Sequence, residues 1–392
     1  MSLIGNLLDP GTDPIFGIQT EYVKDARDFK VNLTVGVYID EKGGKPSIME
    51  ALKEAEAKLL EEEKTKNYLG IAGDEEYLSL TAKLVFGDFD HNRLSMIQTV
   101  GGTSALKTGF ELLKQGGFTD VSVSDPTWDN HHQILDSLNY KVHTYAHRKA
   151  ALDFTIYEKH LKNLPNGSAI LLQVCNHNPT GIDFTKEQWG IISKICKEKS
   201  HYPFFDSAYQ GFAHSLGEDT WAVKFFVENG HDLMIAHSFS KSFAIYNERV
   251  GALFAVNKDT KDAELVKRNL MKIVRVTYSN PPAHGSSSIK YVLKDEKLKK
   301  MWERELNQNK DRINSNRKKL AKALEGLFKD TTAKEIGEGN GFFCQVPFTK
   351  EEIARLKEEY GIYMTGSGRI SLPGLNDACF SYVIDSFKKI RE

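Results

Sequence analysis

The stretch from Leu233 to Gly251, LMIAHSFSKSFAIYNERVG, joins a short apolar run to a polar segment that contains a single lysine, Lys241. An apolar run as short as Leu233 to Ala236 is typical of a buried β-strand. A lysine at the exit of such a strand would lie in a site walled by protein, where loss of water lowers the pKa of an amine. The stretch therefore predicts a strand that presents an unusually reactive amine.

Three neighbours of Lys241 suggest what this amine binds. Ser238 and Ser240 supply hydroxyls and Arg249 supplies a guanidinium, which together could hold a phosphate group. A neutral amine condenses with an aldehyde, and this is how a lysine holds pyridoxal phosphate as a Schiff base. A single lysine in a lysine-rich chain is more often an ordinary surface residue, so the interpretation depends on the other segments.

Short apolar runs alternate with amphipathic helices through the middle of the chain. Runs at 169–174, 203–205 and 233–236 are followed by Asn178, Asp206 and Lys241, and a capping box at Thr185 and Gln188 opens a helix. This order predicts an α/β fold with a mostly parallel central sheet and helices on both faces. Ligands bind beyond the carboxyl ends of such strands, so the three polar residues should meet at one edge.

The pattern changes near residue 294. A charged helical stretch covers 294–328, a candidate strand follows at 342–346, and a second capping box at Thr349 and Glu352 opens another helix. We therefore expect a large cofactor-binding domain at 41–293. Residues 1–40 and 294–392 should form a smaller α+β domain with an N-terminal arm. An apolar stripe at Ile48, Leu52, Ala55 and Leu59 predicts one further helix.

Composition excludes several classes of protein. Lys and Arg total 52 against 53 Asp and Glu. The chain therefore lacks the excess of basic residues that is typical of nucleic-acid-binding proteins. The four cysteines lie far apart without zinc-site spacing, so we expect buried thiols in a reducing compartment and no metal. No apolar run approaches the roughly 20 residues of a membrane span, and residues 1–20 resemble no targeting peptide. The expected location is the cytoplasm, without membrane association.

The segment Gly101-Gly102-Thr103 precedes a helical stretch. Glycines before a helix N-terminus expose backbone N–H groups to an anion, so Gly102 and Thr103 are candidates for a phosphate cradle. Taken alone, a Gly-Gly pair before a helix is more often a plain turn.

Four residues are candidates for contacts with a pyridine ring. Asp206 ends an apolar strand, and a buried carboxylate requires a partner such as a protonated ring nitrogen. Without that context it would equally well cap the next helix. Tyr209 and Asn178 could donate hydrogen bonds to a phenolate oxygen, and Trp128 could stack on the ring.

Two arginines are candidates for substrate carboxylates, because a guanidinium reads a carboxylate through two parallel hydrogen bonds. Arg369 lies in the glycine-rich segment Gly366-Ser367-Gly368-Arg369, and Arg275 precedes Tyr278-Ser279-Asn280-Pro281-Pro282. Arginines are usually solvated partners of acidic side chains, so neither residue is decisive by itself.

Taken together, these segments resemble the aspartate and aromatic aminotransferases, a group of fold-type I pyridoxal-phosphate enzymes. The resemblance covers essentially the whole chain, with each segment in family order. The matching segments are 13–15 (DPI), 32–38 (NLTVGVY), 67–70 (NYLG), 101–103 (GGT), 176–181 (NHNPTG), 206–211 (DSAYQG), 238–251, 278–282 (YSNPP) and 368–369 (GR).

The resemblance implies a role for each candidate. Lys241 resembles the Schiff-base lysine and proton carrier, and Asp206 the partner of the ring nitrogen. Tyr209 and Asn178 would contact the phenolate oxygen. Trp128 would stack on the ring with His131 behind it. The residues that resemble the phosphate cradle are Gly102, Thr103, Ser238, Ser240 and Arg249.

The resemblance also implies a homodimer with shared active sites. Tyr68 would reach the phosphate of the neighbouring subunit, and Arg275 would cross the dimer to read a side-chain carboxylate. Arg369 resembles the α-carboxylate clamp, with Gly36, Trp128 and Asn178 beside the substrate.

The implied activity is transfer of an α-amino group from aspartate to a 2-oxo acid such as 2-oxoglutarate, in two half-reactions. The chain departs from the family pattern at three places. Ile39 stands where many aspartate-selective members have a lysine, Ser104 replaces a common glycine, and residues 344–345 replace a more apolar pair. Asn67, Thr103 and Asn280 are of the aspartate type. Three alternatives stay open: mainly aromatic substrates, a β-lyase on the same fold, and a cofactor-binding regulator without catalysis.

Overall fold

A computed structural model describes residues 11, 14–40, 47–148, 153–328 and 331–392. Its α-helices are α1 Pro14–Lys24, α2 Glu50–Glu62, α3 Glu75–Phe86, α4 Gly101–Gln115, α5 Asp129–Ser137, α6 Thr155–Asn163, α7 Lys186–Glu198, α8 Trp221–Glu228, α9 Thr260–Thr277, α10 His284–Lys294, α11 Glu296–Ala323, α12 Thr332–Glu338, α13 Lys350–Tyr360 and α14 Asp377–Arg391. Its strands are β1 Val31–Asn32, β2 Leu94–Val100, β3 Asp120–Asp125, β4 Lys141–Ala146, β5 Ala169–Gln173, β6 Tyr202–Ser207, β7 Leu233–Ser238, β8 Val250–Val256, β9 Phe343–Gln345, β10 Ile362–Tyr363 and β11 Arg369–Ser371.

Seven strands form the central sheet in the order β2-β8-β7-β6-β5-β3-β4. Strands β4, β3, β5, β6 and β7 pair in parallel, whereas β8 is antiparallel to both of its neighbours. The predicted α/β fold with a mostly parallel sheet is confirmed. Every residue of β7 and of β8 is buried, because helices cover both faces of the sheet.

The two faces of the sheet carry separate apolar cores. Phe204 and Met234 pack on one face with Phe110 of α4, whereas their chain neighbours Phe205 and Ile235 pack on the other. Successive side chains of a strand point to opposite faces, so each run of apolar residues supplies both cores. The near-continuous runs in the sequence reflect burial on both sides.

Two smaller sheets lie outside the central one. Strand β1 pairs in parallel with β10, with Val31 opposite Ile362, and β9 pairs antiparallel with β11.

Both predicted capping boxes are present, at Thr185 and at Thr349. The division into domains at 41–293 and at 1–40 with 294–392 stays a prediction.

Helix α2 departs from the predicted apolar stripe at its start. It begins at Glu50, so Ile48 precedes the helix and its side chain is 52% exposed. The prediction for Ile48 is wrong, whereas Leu52 and Ala55 are buried as expected.

Within the described residues, no helix is both long and apolar enough to cross a membrane.

Candidate active site

A cavity of about 140 Å³ lies beyond the carboxyl ends of the parallel strands. Its position follows from the fold, because the loops that leave β3, β5, β6 and β7 all open at this edge. The structure therefore brings together residues that are far apart in sequence. The lining residues are Gly102, Thr103, Leu106, Trp128, Gln173, Asn178, Asp206, Ala208, Tyr209, Ser238, Ser240, Lys241 and Arg249.

Lys241 lies in the loop that joins β7 to β8. Its Nζ donates a hydrogen bond to the carbonyl oxygen of Gly36 at 2.7 Å and lies 4.8 Å from the centre of the Tyr246 ring. Burial and, to a smaller extent, the nearby charges of Arg249 and Arg369 together lower the pKa of the amine to about 7. Near neutral pH a large fraction of this amine is therefore uncharged and nucleophilic.

A group of donors surrounds the start of helix α4. Arg249 Nη1 donates to Ser240 Oγ at 3.3 Å, and the hydroxyls of Ser238 and Ser240 are 3.1 Å apart. Gly101 has φ +71°, and a Cβ on it would lie 2.6 Å from Arg249 Nη2. The guanidinium can approach the helix N-terminus because this residue is glycine, so a cation, two hydroxyls and backbone N–H groups converge there.

Asp206 is buried at the end of β6. Its Oδ2 is 3.0 Å from His131 Nε2, and His131 Nδ1 is 2.7 Å from Thr127 Oγ1. The Trp128 ring meets the His131 ring edge-on, with centres 5.3 Å apart. The carboxylate is thus held by a chain of side chains behind the cavity that it lines.

Tyr209 and Asn178 face the same cavity from two different loops. Burial raises the pKa of the Tyr209 phenol above its ordinary value. The hydroxyl therefore stays protonated and can donate a hydrogen bond. The side-chain oxygen of Asn178 accepts from Arg369 Nη1 at 3.3 Å.

Arg369, on β11, is 4% exposed. Its Nη2 donates to the carbonyl of Thr34 at 2.9 Å, and its guanidinium lies 4.4 Å from the centre of the Phe343 ring. Its Nε is buried with no hydrogen-bond partner among the described residues. Burial lowers the pKa of this guanidinium, and an unpartnered donor of this kind suits an anionic ligand.

Gly36 is packed beneath the same ring. A Cβ at this position would lie 2.7 Å from Phe343 Cζ and 3.7 Å from Lys241 Nζ. A side chain here would displace the Phe343 ring or crowd the Lys241 amine, which explains why this position holds glycine.

Tyr68 and Arg275 are not brought to this cavity. They line a separate open hollow of about 1050 Å³, and Val100, the residue before α4, lines it too. The Tyr68 side chain is 87% exposed.

Several residues near the candidate site were not predicted from the sequence. Gln173 lines the cavity, Thr127 extends the chain behind Asp206, and Thr34 contacts Arg369 through its main chain only. The position of Gln173, at the end of a predicted strand beside Asn178, was a signal that could have identified it.

Three comparisons relate the chain to known proteins. Residues 29–387 match the family model "Aminotransferase class I and II". The chain is 38% identical over 386 residues to an aspartate aminotransferase of Haemophilus influenzae, covering 96% of this chain and 97% of the relative. It also superposes on two solved structures. One is an aromatic-amino-acid aminotransferase from Burkholderia pseudomallei covalently bound to pyridoxal phosphate, with TM-score 0.94, 33% identity and 100% of both chains covered. The other is the cytoplasmic aspartate aminotransferase of Saccharomyces cerevisiae, with TM-score 0.93, 32% identity and coverage of 99% and 98%.

The family model covers most of the chain, and the full-length relatives exceed 30% identity. The chain therefore belongs to the class I and II aminotransferases and is a transaminase of their aspartate and aromatic group.

Proposed function

We propose that this transaminase moves the α-amino group of aspartate to a 2-oxo acid such as 2-oxoglutarate, with pyridoxal phosphate held in the Lys241 cavity. The observation that carries the proposal is an amine of lowered pKa in one cavity with a carboxylate and a cluster of anion donors.

The residues of the cavity fit this cofactor. A phosphate would bind at the start of α4, where Ser238, Ser240 and the Arg249 guanidinium converge. Asp206 would accept a hydrogen bond from the protonated pyridine nitrogen, and Tyr209 would donate one to the phenolate oxygen. Trp128 offers an aromatic surface on the cavity wall. The cofactor, once bound, supplies the electron sink for the carbon that loses its proton.

The chain supplies the groups that bind and move protons. Lys241 Nζ would take the proton from the substrate carbon and return it, a task that suits an amine with a pKa near the working pH. His131 and Thr127 orient Asp206 from behind.

The buried Arg369 would bind the substrate α-carboxylate, and its unpartnered Nε is the observation that supports this role. Thr34 and Asn178 hold the guanidinium in place, so the substrate meets a pre-oriented donor.

Aspartate as donor is supported by the names of the relatives, which include the aspartate aminotransferase of Haemophilus influenzae. A second carboxylate needs a second cation, and we assign this role to Arg275 of a neighbouring subunit.

A main activity on aromatic amino acids is the second candidate. It is supported by the Burkholderia structure named an aromatic-amino-acid aminotransferase and by the apolar side chain of Ile39. Ile39 follows Tyr38, and the ring of Tyr38 lies 5.3 Å from the Arg312 guanidinium carbon.

The proposed assembly is a homodimer in which Tyr68 and Arg275 complete the partner's site. Their position on an exposed hollow next to Val100, which directly precedes the phosphate cradle, supports this arrangement. We further propose a cytoplasmic location, which the four free, buried cysteines support.

Mixed dimers test the shared site. Chains with Lys241→Ala and chains with Arg275→Leu are each purified and then reassociated. If Arg275 acts across the dimer, about a quarter of the sites regain both wild-type residues and aspartate turnover returns. No gain on mixing, or a fully active monomer in sedimentation, would contradict the proposal.

A panel of amino donors tests the substrate. Purified holoenzyme is given aspartate, phenylalanine, tyrosine or cysteine conjugates with 2-oxoglutarate, and glutamate and 2-oxo products are measured. The proposal expects the highest kcat/KM for aspartate. A preference for aromatic donors selects the second candidate, and ammonia release without glutamate selects a β-lyase.

A further inference from the structure

Gln173, the last residue of β5, binds the main chain of Asn178 with both ends of its side-chain amide. Its Oε1 accepts from the Asn178 N–H at 2.8 Å, and its Nε2 donates to the Asn178 carbonyl oxygen at 3.1 Å. A backbone N–H can only donate and a carbonyl can only accept. The orientation of the Gln173 amide is therefore fixed by the chain itself.

The same Nε2 group faces Thr127, whose Oγ1 is 3.4 Å away. Since Nε2 is a donor without acceptor capacity, Thr127 Oγ1 must accept this hydrogen bond. Thr127 is 7% exposed, and among the described residues its hydroxyl has one other polar partner, His131 Nδ1 at 2.7 Å.

A hydroxyl has one proton to donate. If both Gln173 and His131 donated to Thr127, its own buried proton would lack an acceptor among the described residues, and a buried donor without a partner is unfavourable. The favoured arrangement is donation from Thr127 to His131 Nδ1. Since Nδ1 accepts, it carries no proton, and the ring proton of His131 lies on Nε2, which donates to Asp206 Oδ2.

We propose that Gln173 is a positioning residue that sets the direction of the hydrogen-bond chain Thr127–His131–Asp206 and so keeps Asp206 an acceptor. The inference rests on the proposed function only where it assigns a consequence to Asp206, the expected partner of the cofactor ring. It also assigns Gln173 a second task, because Asn178 is held by the same amide and contacts Arg369.

The test reads the protonated nitrogen of His131 directly. Wild-type holoenzyme, Gln173→Glu and Thr127→Val are labelled with ¹⁵N-histidine, and the His131 signals are assigned by their loss in His131→Gln. Ring nitrogens with and without a proton have well-separated ¹⁵N shifts, so the tautomer is read without substrate or turnover.

The expected results differ among the three proteins. Wild type should show a bare Nδ1 and a protonated Nε2. In Gln173→Glu the new carboxylate oxygen can only accept from Thr127, so the chain reverses and Nδ1 becomes protonated. Thr127→Val removes the link without reversing it, so Nδ1 should stay bare. A protonated Nδ1 in wild type, or an unchanged Nδ1 in Gln173→Glu, would overturn the proposal.

Kinetics separate positioning from a loss of structure. Gln173→Glu should lower kcat at least about tenfold, the effect of one misdirected buried hydrogen bond, with a smaller change in KM. An enzyme with the expected tautomers that transfers no amino group would contradict the proposed function and leave this inference intact.

Discussion

Lys241 Nζ donates a 2.7 Å hydrogen bond to the main-chain oxygen of Gly36, 205 residues earlier in the chain. A second link lies beside it, because the Tyr38 N–H donates to the Tyr246 hydroxyl at 2.8 Å. The segment around Gly36 is therefore bound to the loop that carries the reactive amine. The acceptor is a backbone carbonyl, so no side chain at position 36 is needed to hold the lysine.

Replacement of Lys241 by alanine should abolish turnover while the fold and some cofactor affinity remain. In the proposed function the amine is both the covalent attachment point and the proton carrier, and acid–base transfer alone contributes roughly 10²–10⁴-fold to a rate. Turnover and the visible absorption of bound cofactor measure this. Lys300→Ala, at an exposed position on α11, is the control. Normal activity in Lys241→Ala would refute the assignment.

The rate at which the apoprotein attaches pyridoxal phosphate should rise with pH through about 7 and then level off. Only the uncharged amine reacts, and burial together with the charges of Arg249 and Arg369 places the pKa of Lys241 at about 7 rather than 10.5. Removing a neighbouring positive charge favours the protonated amine, so Arg369→Gln should move the profile to higher pH. A wild-type midpoint near 10 would show that the amine is not desolvated.

Asp206→Ala should lower the half-reaction rates at least roughly tenfold, the effect of losing one charge-assisted hydrogen bond. Cofactor occupancy should fall less, because the proposed phosphate donors around Ser240 and Arg249 are unchanged. Stopped-flow absorbance and equilibrium dialysis measure the two quantities, with Asp206→Glu as a partial rescue. Half-reaction rates equal to wild type would assign the role to another acid.

Arg275→Leu should reduce kcat/KM for aspartate far more than for phenylalanine. A guanidinium binds a carboxylate through two charge-assisted hydrogen bonds, each roughly twice as strong as a neutral one, whereas an aromatic ring gains nothing from it. Both substrates are compared in wild type and variant under single-turnover conditions. Equal losses would mean that Arg275 is structural, and the preference for dicarboxylic acids would need another explanation.

The sequence was sufficient for the sheet and for most of the cavity. Short apolar runs that are buried on both faces leave a strong pattern, and Asn178, Asp206 and Lys241 each follow one of them. Residues at the ends of parallel strands meet at one edge, so their proximity follows from topology.

The sequence was insufficient where a contact does not depend on the side chain. Thr34 binds Arg369 through its main-chain carbonyl. Any residue that fits sterically at this position would offer the same atom. Gln173 acts through an amide whose direction is set by Asn178, a relation that no local pattern records. Ile48 fits an apolar stripe by spacing, but helix α2 begins two residues later.

The contact between Gly36 and Phe343 has an evolutionary consequence. A methyl group at position 36 would lie 2.7 Å from the Phe343 ring, and that ring lies against the Arg369 guanidinium. Positions 36 and 343 should therefore covary among homologues. A lineage that acquires alanine at 36 should already carry a smaller residue at 343, and it would then have to orient its arginine without an aromatic support.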